Sequence, residues 1–130
     1  MFRVFLDANV LFSAAYLPDA GLTRLWAVPD TEVVTSAYAV EEARRNLESE
    51  QARARLAALL ERTEVVSEAL NLSLSGSISL RDKDRPILQA AIAADATHLI
   101  TGDLRDFGSL LGRTVEGVRI ETPSMFLRRG

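Results

Sequence analysis

Short runs of β-branched and aromatic residues alternate with helical patterns from one end of this chain to the other. That alternation limits the folds open to it more than any other feature. Strands separated by helices pair in parallel, and the helices cover both faces of the sheet. Phe2 to Leu6 reads as a buried first strand. A helical pattern begins at Asn9, with Val10, Leu11, Ala14 and Ala15 on one side, and Pro18, Asp19 and Gly21 interrupt it. A second piece carries Leu22, Leu25 and Trp26. Glu32 to Thr35 reads as the second strand, and Thr35 or Ser36 can cap the helix that follows, where Val40, Ala43 and Leu47 share a face. A helix from Ser49 to Arg62 presents Ala52, Leu56, Leu59 and Leu60 to the core. Glu64 to Ser67 is a short third strand, and Ala69 to Leu80 an irregular connection. Asp84 precedes a helix with Pro86 in its first turn and Ile87, Leu88, Ala91 and Ile92 as its buried stripe. His98 to Thr101 is the fourth strand, and Gly102-Asp103 turns out of it. A short helix spans Leu104 to Leu111, and Val118 to Glu121 forms the last strand. Pro123 ends that strand, and Met125, Phe126 and Leu127 dock back onto the body.

Four carboxylates stand out against this pattern. Asp7, Asp84 and Asp103 each sit where an apolar run meets a helical pattern, and Glu42 lies one to two turns into the helix after the second strand. In a parallel sheet such junctions gather at one edge, where ligands bind. Acidic groups brought together there repel one another, and hard oxygen ligands call for Mg²⁺ or Mn²⁺. Taken singly, each has a plainer use. Asp7 and Asp84 stand where helix N-caps stand, although Asn9 could cap in place of Asp7. Asp103 beside Gly102 is a common turn aspartate, and Asp106 three residues on would face the same way in a helical turn. Glu41 and Glu42 flank the apolar stripe of their helix at similar angles, so periodicity does not choose between them.

Composition removes several alternatives. At 48% apolar residues the 130-residue chain has the core of one folded domain, and no run is long enough to span a membrane. The charge-interrupted start does not read as a signal peptide, and with no cysteine a cytosolic protein is the plain reading. His98 is the single histidine, which leaves zinc chemistry unsupported. There is no nucleophile elbow and no phosphate-loop glycine string. A net charge of −3 gives no general pull on nucleic acid, yet the cations are fourteen Arg and one Lys, and Arg offers the donor fork that suits phosphate. A GC-rich genome produces the same bias.

Phe5-Leu6-Asp7-Ala8-Asn9-Val10, then Ser36 through Glu42 to Leu47, resembles the opening half of a PIN-domain ribonuclease. Asp82-Lys83-Asp84-Arg85-Pro86-Ile87-Leu88 with Ala91 is similar to the third motif of that family. Leu99-Ile100-Thr101-Gly102-Asp103 with Asp106-Phe107 is similar to the fourth. The tail, Val118-Arg119-Ile120, Thr122-Pro123 and Phe126-Leu127, also looks like PIN endings. The resemblance covers essentially the whole chain and is nearest to VapC-type toxins and similar small bacterial PIN proteins. It implies a three-layer α/β/α domain around a parallel sheet of four to five strands. It maps the acidic site onto Asp7, Glu42, Asp84 and Asp103, with Asp106 as a frequent extra member and Asn9 and Thr101 in support, and it selects Glu42 over Glu41. It implies Mg²⁺- or Mn²⁺-dependent hydrolysis of RNA that leaves a 5′-phosphate and a 3′-hydroxyl. A protein antitoxin and a homodimer are the partners that go with it. Arg45, Arg85 and Arg105, with Arg44 and Arg81, lie near the acidic motifs and are candidates for phosphate contacts.

Two other readings use the same residues. A phospho-aspartate receiver or phosphatase also places an Asp after its first strand, but needs a lysine near the phosphate. Lys83 is the only one and precedes a helix. A catalytically silent PIN-like binding module is disfavoured because all four acidic positions are filled.

Overall fold

The computed structural model describes residues 1–67 and 85–128. Six strands form one sheet in the order β3-β2-β1-β4-β6-β5. β1 (Phe2–Leu6), β2 (Thr31–Ser36), β3 (Glu64–Val66), β4 (His98–Ile100) and β6 (Val118–Glu121) are parallel, and β5 (Thr114–Val115) runs antiparallel to β6. Five strands and their class are as the alternation predicts. The sixth, β5, was not expected: two residues are too short to carry a period. It is made by a tight turn in which Glu116 and Gly117 both take positive φ, 51° and 85°, the conformation that matches the twist of two paired strands.

The helices are α1 (Ala8–Tyr16), α2 (Ala37–Asn46), α3 (Glu50–Leu60), α4 (Arg85–Ala93) and α5 (Pro123–Leu127). Two begin on a side chain that the sequence offers as a cap, Asp7 for α1 and Ser36 for α2, and Ser49, read as the start of its helix, caps α3. Thr35, the alternative cap for α2, instead donates its hydroxyl to the Leu6 carbonyl at 2.8 Å and ties β2 to β1. The expected apolar stripes are buried: Val10, Leu11, Ala14 and Ala15 in α1, Val40, Ala43 and Leu47 at α2, Ala52, Leu56 and Leu59 in α3. In α4, Ala90 takes the fully buried place expected of Ile92, which packs at the core's margin.

Two local expectations change. No continuous helix spans Leu104 to Leu111; Leu104 to Asp106 form a turn, and a 3₁₀ turn follows at Gly108–Leu110. Pro123 does more than end β6. It opens α5, with Thr122 accepting a hydrogen bond from the Met125 N–H at 3.2 Å, because proline is pre-set for a first helical position. Phe126 is then buried, as the docking of the tail requires. The connection expected at Ala69 to Leu80 lies outside the described residues, as do Arg81, Asp82, Lys83 and Asp84.

The connectivity matters for function. β1 is flanked by β2 on one side and β4 on the other, so the chain leaves β1 in one direction and later returns on its opposite side. A crevice opens at such a reversal, beyond the carboxyl ends of the two strands. Phe107, in the loop after β4, has no exposed surface and anchors that loop in the core. Replacing Phe107 with Ala should cost about 3–5 kcal/mol of stability. Urea unfolding will measure it, and a loss under about 1 kcal/mol would show that the loop is held by other contacts.

Candidate active site

Leu6 is in register with Ile100 on adjacent parallel strands, so the next residues, Asp7 and Thr101, emerge side by side at the crevice. The ladder continues past both: the Asp7 N–H donates to the Ile100 carbonyl at 3.0 Å and the Thr101 N–H to the Glu121 carbonyl at 3.0 Å. Neither residue can drift from its place. Asp7 is 4% exposed and Thr101 fully buried.

Each oxygen of Asp7 has its own partners. Oδ1 accepts from the Ala8 N–H at 2.7 Å and so caps α1. Oδ2 accepts from the Thr101 hydroxyl at 2.8 Å and from the Asn9 carboxamide at 3.2 Å. The capping and cleft roles of Asp7 are therefore compatible. Asn9 is not the cap; its Oδ1 accepts the Gly102 N–H at 2.8 Å and clamps the β4 turn to α1. A Cβ on Gly102 would stand 3.3 Å from that same oxygen, so glycine allows the two elements to approach. Thr101 Oγ1 also accepts the Asp103 N–H at 3.0 Å.

A cleft of about 590 Å³ opens above this corner, lined by Asp7, Ala8, Asn9, Phe12, Glu42, Ala43, Asn46, Gly102 and Asp103. Three of the four carboxylates singled out in the sequence thus face one cavity. Glu42 lines the cleft from α2, whereas Glu41 is exposed and pairs with Arg44 at 3.0 Å. Asp103 Oδ1 accepts the Asp106 N–H at 2.9 Å. Its use as a turn residue is real and involves one oxygen. Asp106 is half-buried and is not among the residues that line the cleft. Arg45 and Arg105 are exposed, and Arg85, the first residue of α4, is partly buried with an interaction of its own. None of the three lines the cleft. Asp84 falls outside the described residues. Phe12 and Asn46 were not singled out in the sequence, although both stand at helical spacing from residues that were: Asn46 is one turn beyond Glu42, and Phe12 one turn beyond Asn9.

Burial pushes the Asp7 carboxyl above the usual range for an aspartate; the Thr101 hydroxyl and the Ala8 N–H pull it down, and the charges of Glu42 and Asp103 push it up again. Among the described residues, no three acidic or imidazole groups stand close enough to make a complete metal-ligand set. The donors present still suit a hard divalent cation. They are all oxygens, and a cation would relieve the mutual repulsion that Asp7 feels.

An α/β protein with an acidic cleft at its strand-order reversal is the class that fold and site define. Residues 3–105 match the PIN domain family model, and the chain belongs to the PIN-domain family. Its structure is similar to that of VapBC2 from Rickettsia felis bound to a DNA fragment from their promoter, with a TM-score of 0.65 and 19% identity over 92% of this chain and 98% of that one. It is also similar to VapC20 of Mycobacterium tuberculosis, a Sarcin-Ricin loop cleaving toxin, with a TM-score of 0.56 and 19% identity over 77% of this chain and 91% of that one. No curated protein sequence matches it.

The raised pKa of Asp7 fixes a sign. The folded state holds the Asp7 proton more tightly than the unfolded chain does. This contribution to stability is therefore present below the ordinary aspartate pKa and is lost as pH rises through the folded value. Asn caps a helix as well as Asp does. In the absence of divalent ions, the stability of Asp7→Asn relative to wild type should therefore grow from about pH 4 to pH 7. Urea unfolding at both pH values checks this, and a difference independent of pH would remove the buried charge from the account.

Proposed function

We propose that this chain is a divalent-metal-dependent ribonuclease, and that it acts as the toxin of a type II toxin–antitoxin pair. The observation that carries the reading is the convergence of Asp7, Glu42 and Asp103, far apart in sequence, on one cleft beyond the strand ends. Membership of the PIN family and the fold shared with two VapC-type proteins, one of them a toxin that cleaves the Sarcin-Ricin loop, support it.

Asp7, Asp103 and Glu42 would hold Mg²⁺ or Mn²⁺, completed by Asp84, which directly precedes the first residue of α4 in sequence. When bound, such an ion supplies positive charge for the scissile phosphate and acidifies an attacking water. The residues of the chain do the rest. Thr101 and Asn9 fix the rotamer of Asp7, so its carboxylate stays aimed without reorganisation during the reaction. Asp103 is held by its own turn through the Asp106 N–H. Glu42, on a different helix, stands where it can orient water or bind a further ion. Arg45 and Arg105 are exposed outside the cleft, where flexible cations can follow an RNA backbone without entering the acidic pocket.

The assembly read from the Rickettsia felis VapBC2 complex suggests a protein antitoxin for this chain, and small toxins of this kind often pair with a second copy. No described helix is long and apolar enough to cross a membrane; the proposed RNA substrate would be met in the cytoplasm. A short open reading frame directly upstream of the gene would support the antitoxin assignment.

Asp103→Asn should lower cleavage of an RNA panel by roughly two orders of magnitude or more while leaving the fold intact by circular dichroism. Cleavage that continues undiminished, or that survives removal of divalent ions, would end the metal mechanism. Mg²⁺ should stabilise the wild type by about 2.7 kcal/mol at a hundredfold over Kd. Thermal melts in which Mg²⁺ shifts Asp7→Asn as much as wild type would place the ion elsewhere. Arg105→Ala should flatten the dependence of log Kd for RNA on log salt by about 1; an unchanged slope removes Arg105 from the phosphate contacts.

A further inference from the structure

The exposed side of α1 carries a feature that the acidic chemistry does not use. Val10, Leu11, Ala14 and Ala15 are buried, which leaves Asn9, Phe12, Ser13 and Tyr16 along the other side. Phe12 lines the acidic cleft. Its ring stacks on Tyr16 with centroids 5.2 Å apart and planes 26° from parallel. Tyr16 is 56% exposed and its neighbour Leu17 59%. From Asn9 to Tyr16 the helix rises about 10 Å, so the aromatic pair starts at the cleft and leads away from it. The cleft continues in the same direction. A second hollow of about 510 Å³ is lined by Tyr16, Leu17 and Asn46 among others, and Asn46 also lines the acidic cleft.

An i, i+4 aromatic pair can simply steady a helix surface. Here that use does not account for its place, because one member forms a wall of the cavity that would hold a scissile phosphate and the other stays in water. Across the hollow, Asn46 donates to the Glu42 carbonyl at 2.9 Å, while its Oδ1 accepts no hydrogen bond from the described residues. A π-face on one wall and an amide edge on the other match the two surfaces of an unpaired base, its ring and its hydrogen-bonding rim.

We propose that Phe12 and Tyr16 form a stacking platform for an unpaired base of the RNA next to the bond that is cut, with Asn46 reading the edge of that base. This rests on the ribonuclease reading above. It implies that the substrate is single-stranded, or a loop, at that position, since a base held in a duplex cannot offer its face.

Cleavage of a single-stranded RNA and of a fully paired duplex of the same sequence, by wild type, Phe12→Leu, Tyr16→Leu and Tyr16→Trp, tests it. Leucine keeps apolar packing and helix propensity but has no π-face, so circular dichroism should report an unchanged fold. Each Leu variant should raise KM for the single strand roughly fivefold to a hundredfold. Tyr16→Trp should restore it, and the added indole fluorescence should be quenched by the single-stranded RNA. The loss should persist as salt is raised, because stacking releases no counterions. Wild-type cleavage with unchanged KM in both Leu variants would overturn the platform while leaving the nuclease intact, as would be found if this face received a protein partner instead. Equal cleavage of duplex and single strand would overturn it too. A wild type that cleaves no RNA at all would sink the nuclease reading, and the platform with it.

Discussion

A single hydroxyl holds the centre of this molecule together. Thr101 Oγ1 joins the ends of β1 and β4 by donating to Asp7 and accepting from the Asp103 backbone. Asp7 and the start of the turn that carries Asp103 both lean on that bridge. Without it, a nearly buried carboxylate beside two others would keep only the Ala8 N–H and the Asn9 carboxamide to hold it, while burial and like charge both oppose its ionisation. The bridge in turn depends on register: Leu6 opposite Ile100 puts the two side chains together, and a slip of one residue would send them to opposite faces.

The second constraint is the close approach of α1 to the β4 turn. The Asn9 carboxamide spans it, touching Asp7 with one end and the Gly102 N–H with the other. A pocket formed in this way is stiff at its floor, where backbone and carboxamide are locked. Higher up it is softer, since Glu42, Asn46 and the α1 surface are partly or fully exposed. Rigid donors below and adaptable walls above suit a ligand whose phosphate must be placed accurately and whose bases vary.

Much of this was legible in the sequence, for identifiable reasons. The parallel strands announced themselves through β-branched runs bounded by turn residues, and the caps Asp7 and Ser36 through their chemistry. Glu42 was a different case. Two adjacent glutamates flank one stripe, and only the family pattern, and then the Arg44 pairing of Glu41, separated them. β5 was missed because two residues have no period, and its signal was the glycine at 117. The Leu104 to Leu111 segment was read as a short helix, yet Asp103 caps only a turn there. Proline 123 was read as a stop when its neighbour Thr122 made it a start. Phe12 escaped notice because attention to periodicity favours the buried face of a helix, and ligands meet the other one.

The saturation of Thr101 has a further consequence. Its one proton is committed to Asp7, and its lone pairs face the Asp103 N–H and, more weakly at 3.4 Å, the Asn9 amide. That network, together with the absence of any exposed surface on Thr101, leaves a phosphate no approach to the hydroxyl. Although it lies at the heart of the site, Thr101 is out of reach as a reagent while the corner stays folded, and it serves by positioning Asp7.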